Sequence, residues 1–456
     1  MEVTFIGAAG TVTGSKTLIT EGSTRILIDS GLFQGVKLYR LRNRMPLPVS
    51  PDSLDAVILT HAHIDHCGYL PKLVRDGFKG PVHCTAPTRD LCGILLPDSG
   101  HIQEEDAKYL NKKGLSRHKP AVPLYTEKDG KAALKHLEPH PFDEEWKVGP
   151  LSFRFKQAGH ILGAATVMVG SQDGTLCVSG DLGRPDMPLM VEPDPFEGAD
   201  WVLLESTYGD RLHADIDPVK ELAAVVVPTL GRGGILMIPS FAVGRAQAIL
   251  YCIHRIFKEN MTPRVPMYID SPMATDVTEL YYKYPDFHRL EQNEVENVCR
   301  QATFVNSVDE SKRLNRRKGP FIIIASSGMM TGGRIMHHVK AHGGDPGNTI
   351  CLAGYQAPGT RGADIAAGAK SVKVHREYIP INAEVVQLDS FSAHADQGEI
   401  LQWLGTAGKK PERVFLNHGE PASSDALRRR IQETMDCRVR VVEYRDSVTL
   451  SPAERG

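Results

Sequence analysis

Residues 56–66 read Ala-Val-Ile-Leu-Thr-His-Ala-His-Ile-Asp-His, an apolar run followed at once by four side chains that can bind a metal ion. A β-branched apolar run of this kind predicts a buried strand. His61 and His63 stand two residues apart at its end, so their side chains can project to the same side. Asp65 and His66 follow where the chain begins to turn. The second pair can therefore face a second cation, and imidazole with carboxylate suits zinc.

The composition is that of an ordinary globular protein. The 456 residues predict two or three domains, with 41% hydrophobic and 24% charged residues. The net charge of −2 provides no global basic field, so any site for a polyanion must be local. Eight scattered cysteines without a C-x-x-C pair indicate reduced thiols and a cytoplasmic location. We expect no signal peptide and no membrane helix.

Short apolar runs and glycine-rich turns predict a strand-rich first part of the chain. The predicted strands there are 3–7, 17–20, 25–29, 56–60, 82–85, 151–156, 165–169, 176–179 and 201–205. Beyond residue 208 predicted helices (218–230, 243–257) alternate with predicted strands (234–239, 265–269, 321–325, 349–353). This alternation predicts a parallel sheet with its own core. A last strand–helix–strand segment (384–388, 397–404, 413–416) predicts a return to the first domain.

We therefore predict an α/β protein in which one domain is inserted into another. The predicted divisions are residues 1–207 for the first part of the metal-binding domain, 208–375 for the insertion, and 376–456 for the return.

The remaining metal ligands must come from distant positions, because two zinc ions need more donors than four. His160 follows a glycine at the end of the predicted strand 151–156. Asp181 closes another predicted strand, and its two oxygens could bridge two cations; the alternative is a turn aspartate that caps a helix. Asp29 could orient a ligand histidine, or could simply cap a turn. His394 and His418 lie late in the chain and are weak signals when taken singly.

Taken together, these segments resemble the motifs of a known family, in order and over nearly the whole chain. Residues 61–66, 159–165 (Gly-His-Ile-Leu-Gly-Ala-Ala) and 179–184 (Ser-Gly-Asp-Leu-Gly-Arg) resemble successive signatures of the metallo-β-lactamase fold. Three segments resemble the three extra motifs of the β-CASP nucleases: 203–209 (Leu-Leu-Glu-Ser-Thr-Tyr-Gly), 391–396 (Phe-Ser-Ala-His-Ala-Asp) and 416–420 (Leu-Asn-His-Gly-Glu). Residues 326–334 and 354–362 also resemble β-CASP segments.

The resemblance implies a metallo-β-lactamase αββα sandwich with an inserted β-CASP α/β domain, whose parallel sheet is flanked by helices. The chain is most similar to bacterial and archaeal relatives of the pre-mRNA 3′-end cleavage endonuclease. The implied activity is hydrolysis of single-stranded RNA by a hydroxide that two metal ions activate, as an endoribonuclease with or without 5′-exonuclease action, in RNA processing or decay.

The resemblance also implies residue roles. The first zinc ion would be bound by His61, His63 and His160, and the second by Asp65, His66 and His418. Asp181 would bridge the two ions. His394, paired with Glu205, would be the general acid, and Asp65 and Asp181 count with them among the catalytic residues. Manganese is an alternative metal because carboxylates accept it.

Four further residues are candidates for binding the substrate. Ser327 and Gly328 follow the predicted strand 321–325, where small residues let backbone amides approach a phosphate. Ser392 lies two residues before His394, and Arg245 is a weaker candidate. Tyr208 and Tyr355 could stack on bases, although the default for such residues is a core position. A basic cluster, Lys312-Arg313 and Arg316-Arg317-Lys318, is either solvated surface or a site that steers RNA.

Three rival functions stay open from the sequence. A small-molecule hydrolase of the same fold would need neither the long insertion nor the motif around His394. A DNA nuclease of the β-CASP repair branch is disfavoured by His418 and Glu205, which are typical of the RNA branch. A non-catalytic scaffold would be expected to have lost ligands. The resemblance is also compatible with a homodimer.

Overall fold

The computed structural model describes residues 1–116, 119–354, 356, 359–374 and 376–451. The predicted stacking residue Tyr355 and the predicted division at residue 375 lie outside this part. The chain forms two compact units. The first comprises Met1–Met187, Val191–Leu212 and His394–Gly456; the second comprises Pro188–Met190 and His213–Ala393.

The strands follow one another along the chain with these bounds. They are β1 (Glu2–Phe5), β2 (Thr17–Glu21), β3 (Thr24–Ile28), β4 (Ala56–Ile58), β5 (Val82–Cys84), β6 (Leu137–Pro139), β7 (Glu145–Val148), β8 (Leu151–Gln157), β9 (Ala165–Ser171), β10 (Gly174–Val178), β11 (Trp201–Glu205), β12 (Ile235–Pro239), β13 (Met267–Asp270), β14 (Thr303–Phe304), β15 (Phe321–Ala325), β16 (Thr349–Ala353), β17 (Ser371–Val374), β18 (Glu377–Pro380), β19 (Glu384–Leu388), β20 (Arg413–Asn417), β21 (Arg438–Val441) and β22 (Ser447–Thr449).

The helices vary from single turns to one of 28 residues. They are α1 (Lys37–Arg42), α2 (Ile64–Cys67), α3 (Leu70–Arg75), α4 (Ala86–Lys113), α5 (Glu127–Ala133), α6 (Pro218–Gly231), α7 (Arg245–Lys258), α8 (Pro272–Lys283), α9 (Gln292–Arg300), α10 (Val308–Leu314), α11 (Ile335–His342), α12 (Arg361–Ala366), α13 (Gln397–Gly405) and α14 (Pro421–Met435). No helix within the described residues is long and apolar enough to cross a membrane.

Two seven-stranded sheets form the first unit, as the described residues show it. Their orders are β22-β1-β2-β3-β4-β5-β6 and β21-β20-β11-β10-β9-β8-β7. Alternate residues of strands such as β8, Phe153 and Phe155, pack against Ile26 and Ile58 of the other sheet in one core. Burying each such side chain contributes roughly 1.5–3 kcal/mol. Helices α13 and α14 pack on the outer face of the second sheet, and α4 packs against β6 of the first.

The second unit contains a parallel six-stranded sheet of order β14-β13-β15-β12-β16-β19. Every residue of β12, β15 and β16 is buried, as expected where helices cover both faces of a parallel sheet. The predicted α/β fold with an inserted parallel sheet is thereby confirmed.

The two units divide the chain differently from the predicted domains: residues 208–212 belong to the first unit, and residues 188–190 and 376–393 belong to the second. Strand β19 was expected in the returning segment, but it pairs in parallel with β16 from Thr349↔Glu384 to Ala353↔Leu388. Its backbone hydrogen bonds therefore complete the edge of the second unit's sheet. A strand's own pattern does not reveal which sheet edge it joins, because either edge satisfies the same backbone groups.

The predicted chemistry-bearing residues follow the carboxyl ends of strands. His61 comes after β4, His160 after β8 and His418 after β20, while Glu205 ends β11. Strands β10, β11 and β20 are parallel neighbours, so the residues after them emerge at one edge of the sheet. Such edges are where open α/β sheets bind ligands.

Lys16 is a lysine buried completely within the first unit. Its ammonium group donates hydrogen bonds to the carbonyl oxygens of Gly31 and Gly14. The same group lies 4.8 Å from the centre of the Phe33 ring and 4.6 Å from that of Tyr69. Burial lowers the pKa of Lys16 to about 7, although the nearby carboxylate of Asp29 opposes the change.

Lys16 is expected to make the stability of the protein depend on pH. In the unfolded chain its pKa returns to 10.5, so between that pH and about 7 the unfolded state binds a proton that the folded state lacks. The free energy of unfolding should therefore fall, relative to a Lys16→Met variant, as the pH decreases from about 10 to about 7, and should change no further below that. Urea unfolding at matched metal content measures the difference; Lys112→Met, at an exposed lysine, is the control. Parallel curves for wild type and Lys16→Met would refute the expectation.

Candidate metal centre

The loop that carries the first ligands is fixed by backbone hydrogen bonds. His63 stands in extended conformation immediately before helix α2, so Asp65 and His66 fall in the first turn of that helix. The N–H of Ser15 donates to the Asp65 carbonyl (2.8 Å), and the N–H of Ser30 donates to that of His66 (2.7 Å). A Cβ at Gly31 would lie only 1.6 Å from the Asp65 carbonyl oxygen. Glycine at this position is therefore required for the close approach.

The first cluster contains His61, His63, His160 and Asp181, whose ligand atoms all lie within 4.8 Å of one another. His63 Nδ1 is 3.1 Å from His61 Nε2 and 3.2 Å from His160 Nε2. Asp181 Oδ2 lies 3.5 Å from the His61 nitrogen and 3.6 Å from the His160 nitrogen. Three imidazoles and a carboxylate that converge in this way suit a zinc ion.

The second cluster contains Asp65, His66 and His418. The Nε2 atoms of the two histidines are 3.1 Å apart, and Asp65 Oδ2 is 3.6 Å from His418 Nε2. Asp181 Oδ1 lies 3.3 Å from His66 Nε2 and 3.4 Å from His418 Nδ1. Each oxygen of the Asp181 carboxylate thus faces a different cluster, as a bridging role requires.

The electrostatics of the site differ between the proposed ligands. Burial lowers the pKa of His66, but the carboxylates of Asp181 and Asp29 outweigh it and raise the pKa well above its usual value, so a cation bound there would displace a proton. Burial lowers the pKa of His61 well below its usual value and that of His63 to about 4. Burial raises the pKa of Asp65, but the neighbouring imidazoles, His418 first, outweigh it and bring the pKa to about 2. Burial also raises the pKa of Asp181, but the imidazoles of His418, His66, His394 and His61 outweigh it and hold the pKa well below its usual value. Neutral imidazoles and ionised carboxylates are the forms that coordinate a cation.

Asp29, predicted to orient a ligand, contacts His66 directly and is linked to His61 by the hydroxyl of Thr60. His66 Nδ1 donates to Asp29 Oδ2 over 2.7 Å. Thr60 Oγ1 lies 3.0 Å from Asp29 Oδ1 and 3.1 Å from His61 Nδ1. The Asp29 carboxylate accepts from His66 Nδ1 and from the Thr60 hydroxyl, whose oxygen in turn accepts from His61 Nδ1. In this arrangement the rings of His61 and His66 carry a proton on Nδ1 and direct Nε2 to the cluster.

Glu205 contacts His394 directly and is linked to His418 by the hydroxyl of Thr207. Its Oε2 lies 3.1 Å from His394 Nδ1 and accepts a 2.6 Å hydrogen bond from Thr207 Oγ1. Thr207 Oγ1 in turn lies 3.2 Å from His418 Nδ1. Burial lowers the pKa of His394, but the carboxylates of Glu205 and Asp181 outweigh it and raise the pKa to about 8. The His394 ring is 4.5 Å from that of His160, centre to centre.

Thr60 and Thr207 are the residues that the motifs did not single out. Each hydroxyl links a carboxylate that is not in the predicted ligand set to a histidine that is. The signal in the sequence is slight: each threonine lies within two residues of a motif residue, at the end of a strand.

The four predicted substrate contacts all belong to the second unit. Arg245 begins helix α7 with its guanidinium 5.2 Å from the centre of the Phe241 ring. A Cβ at Gly328 would lie 2.9 Å from the same ring. The hydroxyl of Ser327 accepts the N–H of Thr331 over 3.1 Å, so it stabilises its own loop. Ser392, the fourth of these residues, is buried. Contact of these residues with a substrate stays a prediction.

Comparison with known proteins identifies the family. Residues 9–224 match the model of the metallo-β-lactamase superfamily, 246–365 that of the β-CASP domain, and 378–442 that of a Zn-dependent metallo-hydrolase RNA specificity domain. Ribonuclease TTHA0252 of Thermus thermophilus is 40% identical over 437 residues, which cover 94% of this chain and 95% of the relative. The chain belongs to the β-CASP family of the metallo-β-lactamase superfamily.

Two further known proteins are similar to this chain. Transcription termination factor FttA of Methanocaldococcus jannaschii is 32% identical over 453 residues, which cover 94% of this chain and 69% of that protein. A crystal structure of a protein of unknown function from Enterococcus faecalis superposes with a TM-score of 0.55 at 14% identity, covering 98% of this chain and 99% of that one. The latter likeness shows the fold alone. The predicted family is confirmed, and with it the dependence on a divalent metal.

Removal of the Thr207 hydroxyl should weaken metal binding without unfolding the protein. Thr207→Val removes the hydroxyl that lies 3.2 Å from His418 Nδ1 and leaves the Asp181 carboxylate, 3.4 Å away, as the neighbouring acceptor. Loss of such an outer contact typically lowers metal affinity 10- to 100-fold. Competition titration with a chromophoric zinc chelator measures the affinity, and Thr434→Val, on the exposed side of α14, is the matched control. Equal zinc affinity in the two variants would contradict this role.

Proposed function

We propose that this protein is a zinc-dependent ribonuclease that hydrolyses phosphodiester bonds of single-stranded RNA with two metal ions. The observation that carries the proposal is the pair of donor clusters that share Asp181, with one carboxylate oxygen directed at each. A site with two such clusters is common to phosphodiester hydrolases. The names of the relatives, a ribonuclease and a transcription termination factor, supply the choice of RNA.

The side chains of the site would hold the metal ions and balance their charge. His61, His63 and His160 are the proposed ligands of one ion, and Asp65, His66 and His418 those of the other. Two divalent cations, when bound, neutralise charge on the phosphate and activate a water molecule for attack at phosphorus. The carboxylates of Asp65 and Asp181 offset the mutual repulsion of the cations.

His394 is the proposed general acid. Its Nδ1 is engaged by Glu205, so Nε2 is the atom that we assign to the proton delivered to the leaving 3′ oxygen. A carboxylate partner favours the imidazolium form, because it stabilises the positive charge. Glu205 is itself fixed by the N–H of Leu182 (2.6 Å) and by Thr207, so the ring has a defined orientation.

The rival functions predict different substrates. A small-molecule hydrolase would leave RNA intact, and a DNA nuclease would cleave the DNA of the same sequence at least as fast. The predicted homodimer, the cytoplasmic location and the choice of zinc over manganese stay predictions.

The substrate assay separates these candidates. A single-stranded RNA labelled at its 5′ end, and the matching DNA, are incubated with wild type and with Asp181→Asn, and the products are sized on a denaturing gel. We expect internal RNA fragments with 3′-hydroxyl ends from the wild type and none from the variant. A labelled mononucleotide alone would indicate 5′-exonuclease action, and intact RNA in the presence of bound zinc would refute a ribonuclease that acts alone.

Replacement of the general acid should slow the chemical step and leave the metal ions in place. For His394→Asn we expect kcat to fall 10²- to 10⁴-fold, as is usual when a positioned proton donor is lost, with zinc content unchanged. Single-turnover RNA cleavage and elemental analysis measure the two quantities. The control is His101→Asn, at an exposed histidine of helix α4. Loss of zinc together with activity would assign His394 to metal binding instead.

A further inference from the structure

A cavity of about 310 Å³ lies in the second unit, beside the edge strand β14 and helix α10. Its volume is in the range of sites that hold small organic groups. The side chains that line it are Tyr268, Thr303, Phe304, Val305, Glu310, Arg313, Leu314 and Arg317. None of them belongs to the predicted metal site or to the four predicted substrate contacts.

One part of the wall of this cavity is aromatic and apolar. Tyr268 and Phe304 lie on the paired strands β13 and β14 and are only partly buried, while Leu314 is buried. The Tyr268 ring is held by the Phe321 ring, which meets it edge to face with 5.8 Å between centres. Half-buried aromatic rings in an open cavity provide faces on which a planar group can stack.

The charge around the cavity is positive. The Arg317 guanidinium lies 5.5 Å from the centre of the Tyr268 ring. Arg313 stands one turn earlier, with its guanidinium 3.9 Å from the Glu310 carboxylate and its side chain 73% exposed. The acidic lining residue, Glu310, is engaged at the start of α10, where it accepts hydrogen bonds from the N–H and hydroxyl of Ser307. Residues 309–318 contain five basic and two acidic side chains, a net charge of +3.

We propose that this cavity is a binding site for one nucleotide of a single-stranded RNA, separate from the residues that hold the metal ions. The base would stack on Tyr268 or Phe304, and the guanidinium groups of Arg313 and Arg317 would bind the flanking phosphates. The inference rests on the proposed ribonuclease function, because it extends the binding of the same substrate.

The distribution of charge favours a strand over a free nucleotide. Lys312, Arg316 and Lys318 are exposed and lie outside the lining of the cavity, so they could contact the phosphates of neighbouring nucleotides. A free nucleotide would use the two lining arginines alone. The site would then raise the affinity for RNA long enough to reach it, and would leave the chemistry unchanged.

The experiment compares kinetic constants for RNAs of 4, 8, 16 and 24 nucleotides. The variant is Arg313→Ala combined with Arg317→Ala, both at exposed positions, and Phe304→Ala tests the stacking wall. We expect KM for the longest RNA to rise about 10-fold in the double variant, with kcat and the constants for the shortest RNA unchanged. The matched control is Lys258→Ala combined with Arg300→Ala, two exposed basic residues of the same unit.

A second measurement locates the contact without depending on catalysis. RNA that carries 4-thiouridine is cross-linked to the zinc-loaded protein, and the attached peptide is identified by mass spectrometry. Cross-links within residues 301–318, lost in the double variant, support the site. Unchanged KM with cross-links elsewhere overturns it, and so does AMP that displaces a 24-nucleotide RNA at equal concentration, since the site would then take a free nucleotide.

The two proposals fail in distinguishable ways. If the wild type cleaves no RNA of any length, the ribonuclease proposal fails and the cross-links alone decide whether the cavity binds RNA. If the wild type cleaves RNA and the double variant does so with the same KM at every length, the cavity proposal fails alone.

Discussion

Asp181 is a buried carboxylate, and each of its two oxygens faces a cluster of imidazoles. The segments that follow strands of the first unit place those imidazoles around it. Burying an ionised carboxylate is costly unless opposite charge compensates it. Neutral imidazoles cannot compensate it fully, but divalent cations held between the imidazoles and the carboxylate can. Binding of metal ions by these clusters would therefore be coupled to the stability of the surrounding fold.

Asp29 and Glu205, two carboxylates outside the proposed ligand set, contact the histidines of the site in the same way. Asp29 contacts His66 directly and reaches His61 through the hydroxyl of Thr60. Glu205 contacts His394 directly and is linked to His418 through Thr207. In each case a threonine hydroxyl lies between the carboxylate and the Nδ1 atom of a second ring. Hydrogen bonds of this kind favour a proton on Nδ1 and leave Nε2 to face the cluster. This is the reason why residues beside the motifs belong to the site.

Most of the fold could be predicted, because the strands of this protein are short, apolar and separated by glycine. Strand β11 was placed to the residue, and β3 and β10 to within two residues at each end. The full length of helix α4 could not be predicted, since Pro97 and the polar stretch after it obscure a helix that continues to Lys113. The edge strands β6 and β7 are half-exposed and carry no apolar run to reveal them.

The sequence by itself determined the types of the chemical groups, their order, and the strand ends at which they stand. Motifs of contiguous residues, such as 61–66, carry that information because a local backbone conformation fixes their relative positions. Only the tertiary structure decided which side chains meet across hundreds of residues: that Asp181 directs one oxygen to each cluster, that His418 lies beside His66, and that β19 joins the second unit. Those contacts depend on how strands pair and sheets pack, and nothing local encodes the partner.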